Sequence, residues 1–341
     1  MTPKEAAPAA GHVGLGHDQE FAAPGGSLRG LIEETLGEVF GPLPPFDGGR
    51  PTLVTQMHIV DPPFYGNGDI GQAAVCATVN ELAAAGATPL GLTLSVIVEA
   101  GMPFRQVRRM AGSVRDAAAD AGVVVSDVDV RVVRAGEADQ MYLHTTGFGV
   151  FPQTPSSPAA AARAGDLLVV SGPIGAYGAH ILSVRRSLGH EGVVSGECTP
   201  LNGLLDQLRN AVPAAAVRSV HPVGRGGLAG VLLALAAGTG LGVQVDEREL
   251  PVWYEVRVAL DALGVDPVHA ATANCLCLVV APEAADQVLA ALHAHPRGRE
   301  AVVVGEVLAQ EDGAAGGVTL VRAAGPAVPL VPETSPAARL S

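Results

Sequence analysis

Lysine is nearly absent from this chain. Of its 21 basic residues, only Lys4 is a lysine, and it stands close to the N-terminus. This scarcity excludes a Walker A phosphate loop, a Schiff-base lysine and the lysine–glutamate ion pair of protein kinases. Any bound phosphate must therefore be held by arginine, by backbone N–H groups or by a carboxylate-bound Mg²⁺ ion.

Cysteines and long apolar runs are also scarce. Four cysteines in 341 residues do not make a disulfide framework and are typical of a reducing compartment. The longest nearly apolar run, residues 228–241, is too short to span a bilayer, and the first 16 residues lack the apolar segment of a secretory signal. We therefore expect a cytoplasmic chain with free thiols and no membrane segment.

The charge balance is acidic. The 34 acidic residues against 21 lysines and arginines give a net charge of −13, which argues against non-specific binding to nucleic acid or to an anionic membrane. A hydrophobic content of 48% with 16% charged residues is typical of a well-buried globular chain. Because aromatic residues make up only 4%, alanine, valine and leucine must fill the core. A small-molecule substrate or a protein partner is expected.

Length and composition divide the chain into two α/β halves. At 341 residues the chain exceeds the usual size of one domain. Residues 152–163 contain three prolines without periodicity, which is typical of a linker. The predicted organisation is a disordered leader (1–22), an N-terminal domain (23–152), the linker (153–164), a C-terminal domain (165–323) and a proline-rich tail (324–341).

Apolar spacing predicts helices and strands in both halves. Asp69 is suited to cap a helix that ends at Gly86, and Pro103 begins another helix that ends at Gly122. Further helices are predicted near residues 27–40, 176–188, 201–211, 228–237 and 252–263. Strands are predicted at residues 52–58, 90–99, 123–134, 141–151, 166–171, 274–281, 301–307 and 318–322.

A collinear series of motifs makes the sequence more specific. Residues 68–71 are Gly-Asp-Ile-Gly, residues 75–83 are Val-Cys-Ala-Thr-Val-Asn-Glu-Leu-Ala, and residues 225–228 are Arg-Gly-Gly-Leu. In these motifs the chain resembles the HypE family of hydrogenase expression/formation proteins, within the aminoimidazole ribonucleotide synthetase (PurM-like) superfamily. The likeness extends from about residue 24 to residue 307.

The resemblance implies both a fold and a chemistry. The fold is a two-domain α/β (α+β) PurM-like fold, with an N-terminal half that forms a dimeric barrel-type sheet and a C-terminal α+β half. ATP, with Mg²⁺, is expected in the cleft between the domains. Members of the HypE family dehydrate a carbamoyl group, held on their own C-terminal cysteine, to a thiocyanate for the cyanide ligands of nickel–iron hydrogenase. A HypF-type carbamoyltransferase supplies that carbamoyl group.

The resemblance also selects candidate site residues. The candidates for nucleotide binding are Gly68, Asp69, Asn80, Arg131, Arg225, Gly226, Gly227 and Asn274. The candidates for a Mg²⁺ site are Asp69, Asp127 and Asp129, and Glu81 is a further carboxylate near the inferred cleft. Structural alternatives remain open for these residues. Asp69 would then only cap its helix, and Asn80 would be a buried amide bonded to the backbone. Asp127 and Asp129 would lie on a solvated strand face, or on one whose charge Arg131 neutralises.

The sequence departs from the family at chemical positions. Where the family has Thr-Asp-Ser, this chain has Thr-Gln-Met at residues 55–57. Where the family has Gly-Asp-Thr-Lys and Asn-Glu-Gly-Lys, this chain has Val-Asp-Val-Arg at 128–131 and Asn-Cys-Leu-Cys at 274–277. The family's Asp-Ala-Thr-Arg-Gly-Gly is replaced in this chain by Pro-Val-Gly-Arg-Gly-Gly at residues 222–227. The family's His-Gly-Asn-Gly-Gly is replaced by Ala-Ala-Pro-Gly-Gly at residues 22–26. Residues 337–341 are Ala-Ala-Arg-Leu-Ser, where the family has Pro-Arg-Ile-Cys. These changes remove cation ligands and the carrier thiol.

Two cysteines form a Cys-x-Cys pair. Cys275 and Cys277 share one face of a predicted strand, and such a pair can ligate zinc. The sequence offers no second cysteine or histidine pair at metal-site spacing, so we predict that both are small core residues in an apolar run.

The sequence supports two classes of function, and it assigns no catalytic residue. The first is a HypE-like enzyme for ATP-dependent carbamoyl-to-cyano dehydration, in hydrogenase maturation or a related nitrile or carbamoyl pathway. It would act in trans, because its own acceptor cysteine is absent, or as a maturation factor whose tail comes from another chain. The second is a non-catalytic dimeric scaffold or regulatory paralogue that partners a HypF-like carbamoyltransferase or a true HypE. A homodimer is expected in either class.

Overall fold

Two β-sheets, one in each half of the chain, organise the structure. The computed structural model describes residues 28–46, 48–152, 162–309 and 316–332. The predicted leader, residues 153–161 of the linker, residues 333–341 of the tail and the departure at residues 22–26 lie outside the described residues. Within the described ranges the chain forms two sheets with helices packed against them, which confirms the predicted α/β fold class. None of the described helices is long and apolar enough to cross a membrane.

The first sheet has four strands in the order β1-β4-β2-β3. The strands are β1 (Arg50–His58), β2 (Thr88–Glu99), β3 (Val124–Val133) and β4 (Met141–Phe151), and the helices are α1 (Leu28–Leu36), α2 (Ile70–Ala84) and α3 (Phe104–Ala121). β4 is antiparallel to both β1 and β2, whereas β2 and β3 are parallel and joined by α3. The helices cover one face of this sheet and leave its other face open.

The two long helices of this half begin where the sequence predicts, and α3 also ends there, whereas α2 ends at Ala84, two residues before Gly86. Asp69 is the N-cap of α2, Pro103 precedes α3, and Gly122 ends α3 in the left-handed conformation. The apolar side of α3 repeats at helical spacing through Val107 and Val114, which are fully buried. α2 is buried on nearly all sides, because it lies between the first sheet and the second domain.

The second sheet has seven strands in the order β11-β10-β7-β9-β5-β8-β6. The strands are β5 (Leu167–Val170), β6 (Val217–Pro222), β7 (Gly242–Asp246), β8 (Leu276–Val280), β9 (Val302–Leu308), β10 (Val318–Val321) and β11 (Val328–Pro329). The helices of this half are α4 (Ala176–Arg186), α5 (Asn202–Ala211), α6 (Gly227–Thr239), α7 (Tyr254–Leu263) and α8 (Ala285–His293). All neighbouring strands are antiparallel except β7 and β10.

Helices cover both faces of the second sheet. On the β8 strand, Cys277 packs toward α6, whereas Leu276 and Leu278 pack toward α5 and α8. Every residue of β8 is buried, as is Cys275 just before it. The two cysteines of the Cys-x-Cys pair are therefore core residues, which confirms that prediction.

Three strands of the second half were not predicted. β6 and β7 are five or six residues long and carry polar residues at every other position or more, so neither produces an apolar run. β11 lies in the segment predicted as a proline-rich tail, where it pairs with β10 and brings Leu330 into the core. Proline is tolerated there because β11 is an edge strand.

The two halves share apolar packing across the cleft. Tyr177 and Ile181 of α4, together with Cys198 and Ala271, belong to the same buried cluster as the core of the first domain. His180 of α4 lies between the two halves, with its ring nitrogens 2.5 Å from the Tyr65 carbonyl oxygen and 2.6 Å from that of Val194. These contacts fix α2 against the second domain and thereby shape the cleft.

Candidate functional site

Three of the cavities along the boundary between the two halves contain predicted site residues. Cavity A, about 350 Å³, lies at the start of α2 and is lined by residues 66–69, Arg109, Ser113 and residues 197–200, among others. Cavity B, about 420 Å³, lies between the two domains. It is lined by residues 56–59, 76, 77, 80 and 81 of the first domain and by residues 222–225 and 271–273 of the second, among others. Cavity C, about 260 Å³, adjoins the first turns of α6 and is lined by Glu81, His221 and four glycines.

The N-terminus of α2 is closed by its own cap. Asp69 Oδ1 accepts hydrogen bonds from Gly71 N at 2.9 Å and from Gln72 N at 3.3 Å. Its Oδ2 accepts a hydrogen bond from Ser113 at 2.5 Å and lies 3.6 Å from Arg109 Nε. Burial raises the pKa of Asp69, while these hydrogen bonds and the arginine lower it. Asp69 thus accepts hydrogen bonds from the first-turn N–H groups that would otherwise meet a phosphate. It acts as a helix cap, which was the structural alternative to its predicted role as a ligand.

Asn80 and Asn274 are used to hold one segment across the cleft. This segment, the strap (residues 195–202), separates cavity A from cavity B. Asn80 accepts a hydrogen bond from Leu201 N at 2.6 Å, and Asn274 accepts one from Thr199 N at 2.8 Å. Each amide also donates to a strap carbonyl, Asn80 to Thr199 and Asn274 to Glu197. Asn274 lines none of the three cavities.

The structure does not bring Asp127 and Asp129 to Asp69. Both project from β3 onto the open face of the first sheet, whereas Asp69 lies in the helical layer on its other face. Asp127 pairs with Arg29 at 3.0 Å, and Asp129 pairs with Arg131 at 2.9 Å. Among the described residues, no group of three or more potential metal ligands forms. The structure thus shows a neutralised charge cluster on this strand face, formed by the two aspartates and their arginine partners. This was one of the alternatives that the sequence left open.

The N-terminus of α6 has a different character. Its N-cap is Gly226, and no side chain caps the helix. Gly227 has a φ of +62°, and a Cβ there would meet the Val268 carbonyl oxygen at 2.5 Å, so only glycine fits. Glycines 224, 226, 227 and 230 line cavity C, and Arg225 lines cavity B. A glycine-rich helix start with an adjacent guanidinium can bind an anionic group.

Glu81 completes this end of the cleft. Its side chain lines both cavity B and cavity C and has no hydrogen-bond or ion-pair partner among the described residues. Burial raises the pKa of its carboxyl group. Among the described residues that line cavity B, Glu81 is the one acid and Arg225 the one strong base. A half-buried carboxylate without a partner is available to a cation. Asp69 is not available in this way, because its oxygens already accept hydrogen bonds.

All four cysteines of the sequence are buried. Burial raises the pKa of Cys76, that of Cys275 to about 11 and that of Cys198 to about 12. Burial likewise raises the pKa of Cys277. Because the thiolate is the reactive form, burial and a raised pKa make each of them a poor carrier of a carbamoyl group at neutral pH.

The predicted nucleotide-binding residues are thus distributed over several places. Gly68 and Asp69 line cavity A, Asn80 and Arg225 line cavity B, Gly226 and Gly227 line cavity C, and Arg131 and Asn274 line none of them. Sequence reasoning gave no role to His58, which lines cavity B, and named Glu81 only as a nearby carboxylate. The position of Glu81 directly after Asn80 was the available signal, since both lie on the cleft side of α2.

Comparison with known families accounts for this arrangement. Residues 46–151 match the family model of the AIR synthase related protein N-terminal domain, and residues 163–317 match that of its C-terminal domain. The chain belongs to the AIR synthase related family. Within that family it is 40% identical over 269 residues to carbamoyl dehydratase HypE of Azotobacter vinelandii, covering 79% of this chain and 77% of the relative. It is 38% identical over 265 residues to carbamoyl dehydratase HypE of Rhizobium leguminosarum bv. viciae, covering 78% and 75%. It is thus a HypE-like member.

Solved structures agree with the two-domain fold of this HypE-like chain. Escherichia coli HypE, a hydrogenase maturation protein, superposes with a TM-score of 0.83 at 33% identity, covering 92% of this chain and 98% of that one. Hydrogenase maturation protein HypE in complex with ATP superposes with a TM-score of 0.81 at 30% identity, covering 95% and 94%. A chain of a HypE–HypF complex superposes with a TM-score of 0.76 at 32% identity, covering 83% and 90%.

Proposed function

We propose that this chain binds MgATP at the start of α6 and takes part in carbamoyl dehydration during hydrogenase maturation. The observation that carries the proposal is that a glycine-rich helix start without a capping carboxylate lies beside Arg225 and Glu81, which has no partner among the described residues. Its support from relatives is the solved structure of a HypE with ATP and the carbamoyl dehydratase relatives. The start of α2 does not fit a phosphate, because the carboxylate of Asp69 caps it and would repel a second anion.

The residues present fit a nucleotide with a single Mg²⁺ ion. The Arg225 guanidinium and the N–H group of Gly226, at the positive end of α6, would hold phosphate oxygens, and Glu81 would hold the metal. Mg²⁺ commonly uses one or two carboxylates together with phosphates and water, so one carboxylate meets this need. When bound, ATP supplies the phosphoryl group that activates an amide oxygen.

Cavity B would receive the carbamoyl group. It adjoins cavity C, since both are lined by Glu81, Pro222 and Gly224. Much of its remaining wall is formed by small or apolar residues of the two domains, which exclude water from the reacting group. The acceptor thiol comes from outside these cysteines, because all four are buried with raised pKa values. In this proposal a HypF-like partner delivers the carbamoyl group.

Thermal unfolding with and without MgATP tests the nucleotide site. A ligand at 100 times its dissociation constant adds about 2.7 kcal/mol, which raises the midpoint by about 4 °C for a chain of this size. The Glu81→Gln and Arg225→Gln variants should lose this rise. Arg131→Gln is the matched control, because Arg131 lies on the open sheet face, and it should keep the full rise. An unshifted midpoint at millimolar MgATP, or a rise that only Arg131→Gln removes, would contradict the proposal.

Turnover tests the reaction itself. The purified chain is mixed with MgATP, a HypF-like carbamoyltransferase, carbamoyl phosphate and a peptide that ends in cysteine. The proposal expects one thiocyanate on the peptide for each ADP that is formed. Formation of ADP without thiocyanate, or of neither product, would contradict the catalytic role.

A second candidate is a non-catalytic dimeric partner of a HypF-like carbamoyltransferase or a true HypE. The observation that favours it is the open face of the first sheet, where Leu53 is 65% and Met57 is 56% exposed. This face suits a second copy of the chain, as the family resemblance also implies. Sedimentation of the wild-type chain and of Leu53→Asp tests the dimer, and the variant should be monomeric. Binding to a HypF-like protein without turnover would favour this role over the enzyme.

A further inference from the structure

A ladder of hydrogen bonds fixes the tautomer of His58. Thr78 Oγ1 donates its proton to the Ala74 carbonyl oxygen at 2.8 Å, so it can only accept from Thr145 Oγ1, which lies 2.6 Å away. The hydroxyl proton of Thr145 is therefore donated to Thr78, so Thr145 Oγ1 must accept a hydrogen bond from His58 Nε2, which lies 3.1 Å away. His58 therefore carries its proton on Nε2, and its Nδ1 is a bare acceptor.

Nδ1 is the atom of His58 that remains for a ligand. Within the part of the chain that the structure describes, His58 makes hydrogen bonds only through Nε2. The residue is 2% exposed to solvent, and it lines cavity B. Burial lowers the pKa of His58 to about 4, so the ring is neutral at physiological pH. A buried acceptor that cannot become a donor near neutrality repels carboxylate or phosphate oxygens and matches an N–H group.

We propose that His58 Nδ1 accepts a hydrogen bond from the N–H of a primary carbamoyl group in cavity B and selects this neutral amide over groups without a donor. The inference rests on the proposed function of the cleft, since it names how cavity B recognises its substrate. His58 is a positioning and specificity residue here, and proton removal is not assigned to it, because a neutral imidazole of low basicity is a poor base.

Two isosteric probes test this selection in the absence of nucleotide. S-methyl thiocarbamate carries an NH₂ group where S-methyl thioacetate carries a methyl group, so the pair differs in donors and hardly in size. The full-length chain is labelled with ¹⁵N-histidine, and the imidazole nitrogens are followed in long-range ¹H–¹⁵N spectra. His58 is assigned by its absence in His58→Phe.

The expected result has two parts. The free chain should show His58 as the Nε2–H tautomer, and the thiocarbamate should shift its Nδ1 resonance while binding about fivefold more tightly than the thioacetate. His58→Phe should bind the two probes equally. An Nδ1–H tautomer in the free chain, equal binding of the probes by the wild type, or an unmoved Nδ1 resonance would each overturn the proposal.

Further variants separate this role from structural support and from the proposed function. Thr145→Val removes the acceptor of the ladder but keeps the ring, so the tautomer should become mixed and the probe preference should fall. Thr35→Val is a matched control, because Thr35 bonds only the Leu31 carbonyl within α1, and it should keep the preference. The probe experiment contains no MgATP, so its result is independent of the thermal-unfolding experiment. If the chain selects the thiocarbamate probe but MgATP does not raise its unfolding midpoint, only the nucleotide proposal is refuted. Such a rise without probe selection would refute the role of His58 alone.

Discussion

Acid should destabilise this protein through His58 in a way that one substitution removes. The folded-state pKa of His58 is about 4, against an ordinary value of 6.5, because burial disfavours the charged ring. Below pH 6.5 the unfolded chain therefore binds a proton that the folded chain does not bind. Stability is complete above about pH 7 and falls as the pH decreases from 6.5 toward 4.

The size of the effect follows from these two values. Linkage gives a loss of about 1.4 kcal/mol at pH 5.5 and about 2.5 kcal/mol at pH 4.5, relative to pH 7.5. The variant His58→Gln places an amide donor near the position of Nε2, opposite Thr145, but does not titrate. Its free energy of unfolding should lack this loss, although other groups titrate equally in both proteins.

The assay is urea unfolding at pH 7.5, 5.5 and 4.5, followed by circular dichroism, for wild type, His58→Gln and His144→Gln. His144 is the control, because it lies on the open sheet face beside Thr55, and its charge contributes only secondarily to the lowered pKa of His58. His144→Gln should keep most of the acid sensitivity. If wild type and His58→Gln lose the same free energy between pH 7.5 and 4.5, His58 protonates in the folded state and the reasoning is refuted.

Three further substitutions test the scaffold around the site. Arg218→Met should cost about 3–5 kcal/mol in urea unfolding, because it leaves the buried Asp166 carboxylate without its cation; a loss below about 1 kcal/mol would contradict this. Asn274→Ala should speed limited proteolysis within the strap at unchanged global stability, and an unchanged cleavage pattern would show that the strap does not depend on this amide. Asp69→Ala should cost about 1–2 kcal/mol in thermal unfolding through loss of the α2 cap, whereas a neutral effect would return Asp69 to the ligand candidates.

Local signals in the sequence predicted the helices of the first domain well. A carboxylate at Asp69, a proline at Pro103 and a glycine at Gly122 act on the backbone within one turn, so their effect is visible without the fold. The same holds for the burial of Cys275 and Cys277, which follows from an unbroken apolar run. The family motifs then supplied the order of the two domains.

The roles of polar residues were less predictable, because they depend on partners distant in sequence. Asn80 and Asn274 are nearly 200 residues apart, yet both bond the strap, and no spacing rule relates either of them to residues 195–202. The strand face of Asp127 and Asp129 was predicted as one face, but only the sheet order shows that this face points away from α2. β6 and β7 were missed because short strands gain their stability from neighbours and not from their own pattern.

The two helix starts differ in charge, and this difference is what the proposed nucleotide site depends on. A carboxylate that caps its own helix, as Asp69 does on α2, cancels the positive end of that helix and consumes its free N–H groups. At α6 no carboxylate cancels the positive end of the helix, although backbone carbonyls already accept hydrogen bonds from Gly227 N and Ala229 N. The family's carboxylate and threonine before α6 are replaced here by Pro222 and Gly224, so the charge for the metal must come from another element. α2 lies against β6, and this contact places Glu81 beside the glycines of α6. The proposed site therefore needs the two domains to stay packed, and loosening that contact should weaken MgATP binding without touching any residue of the phosphate site.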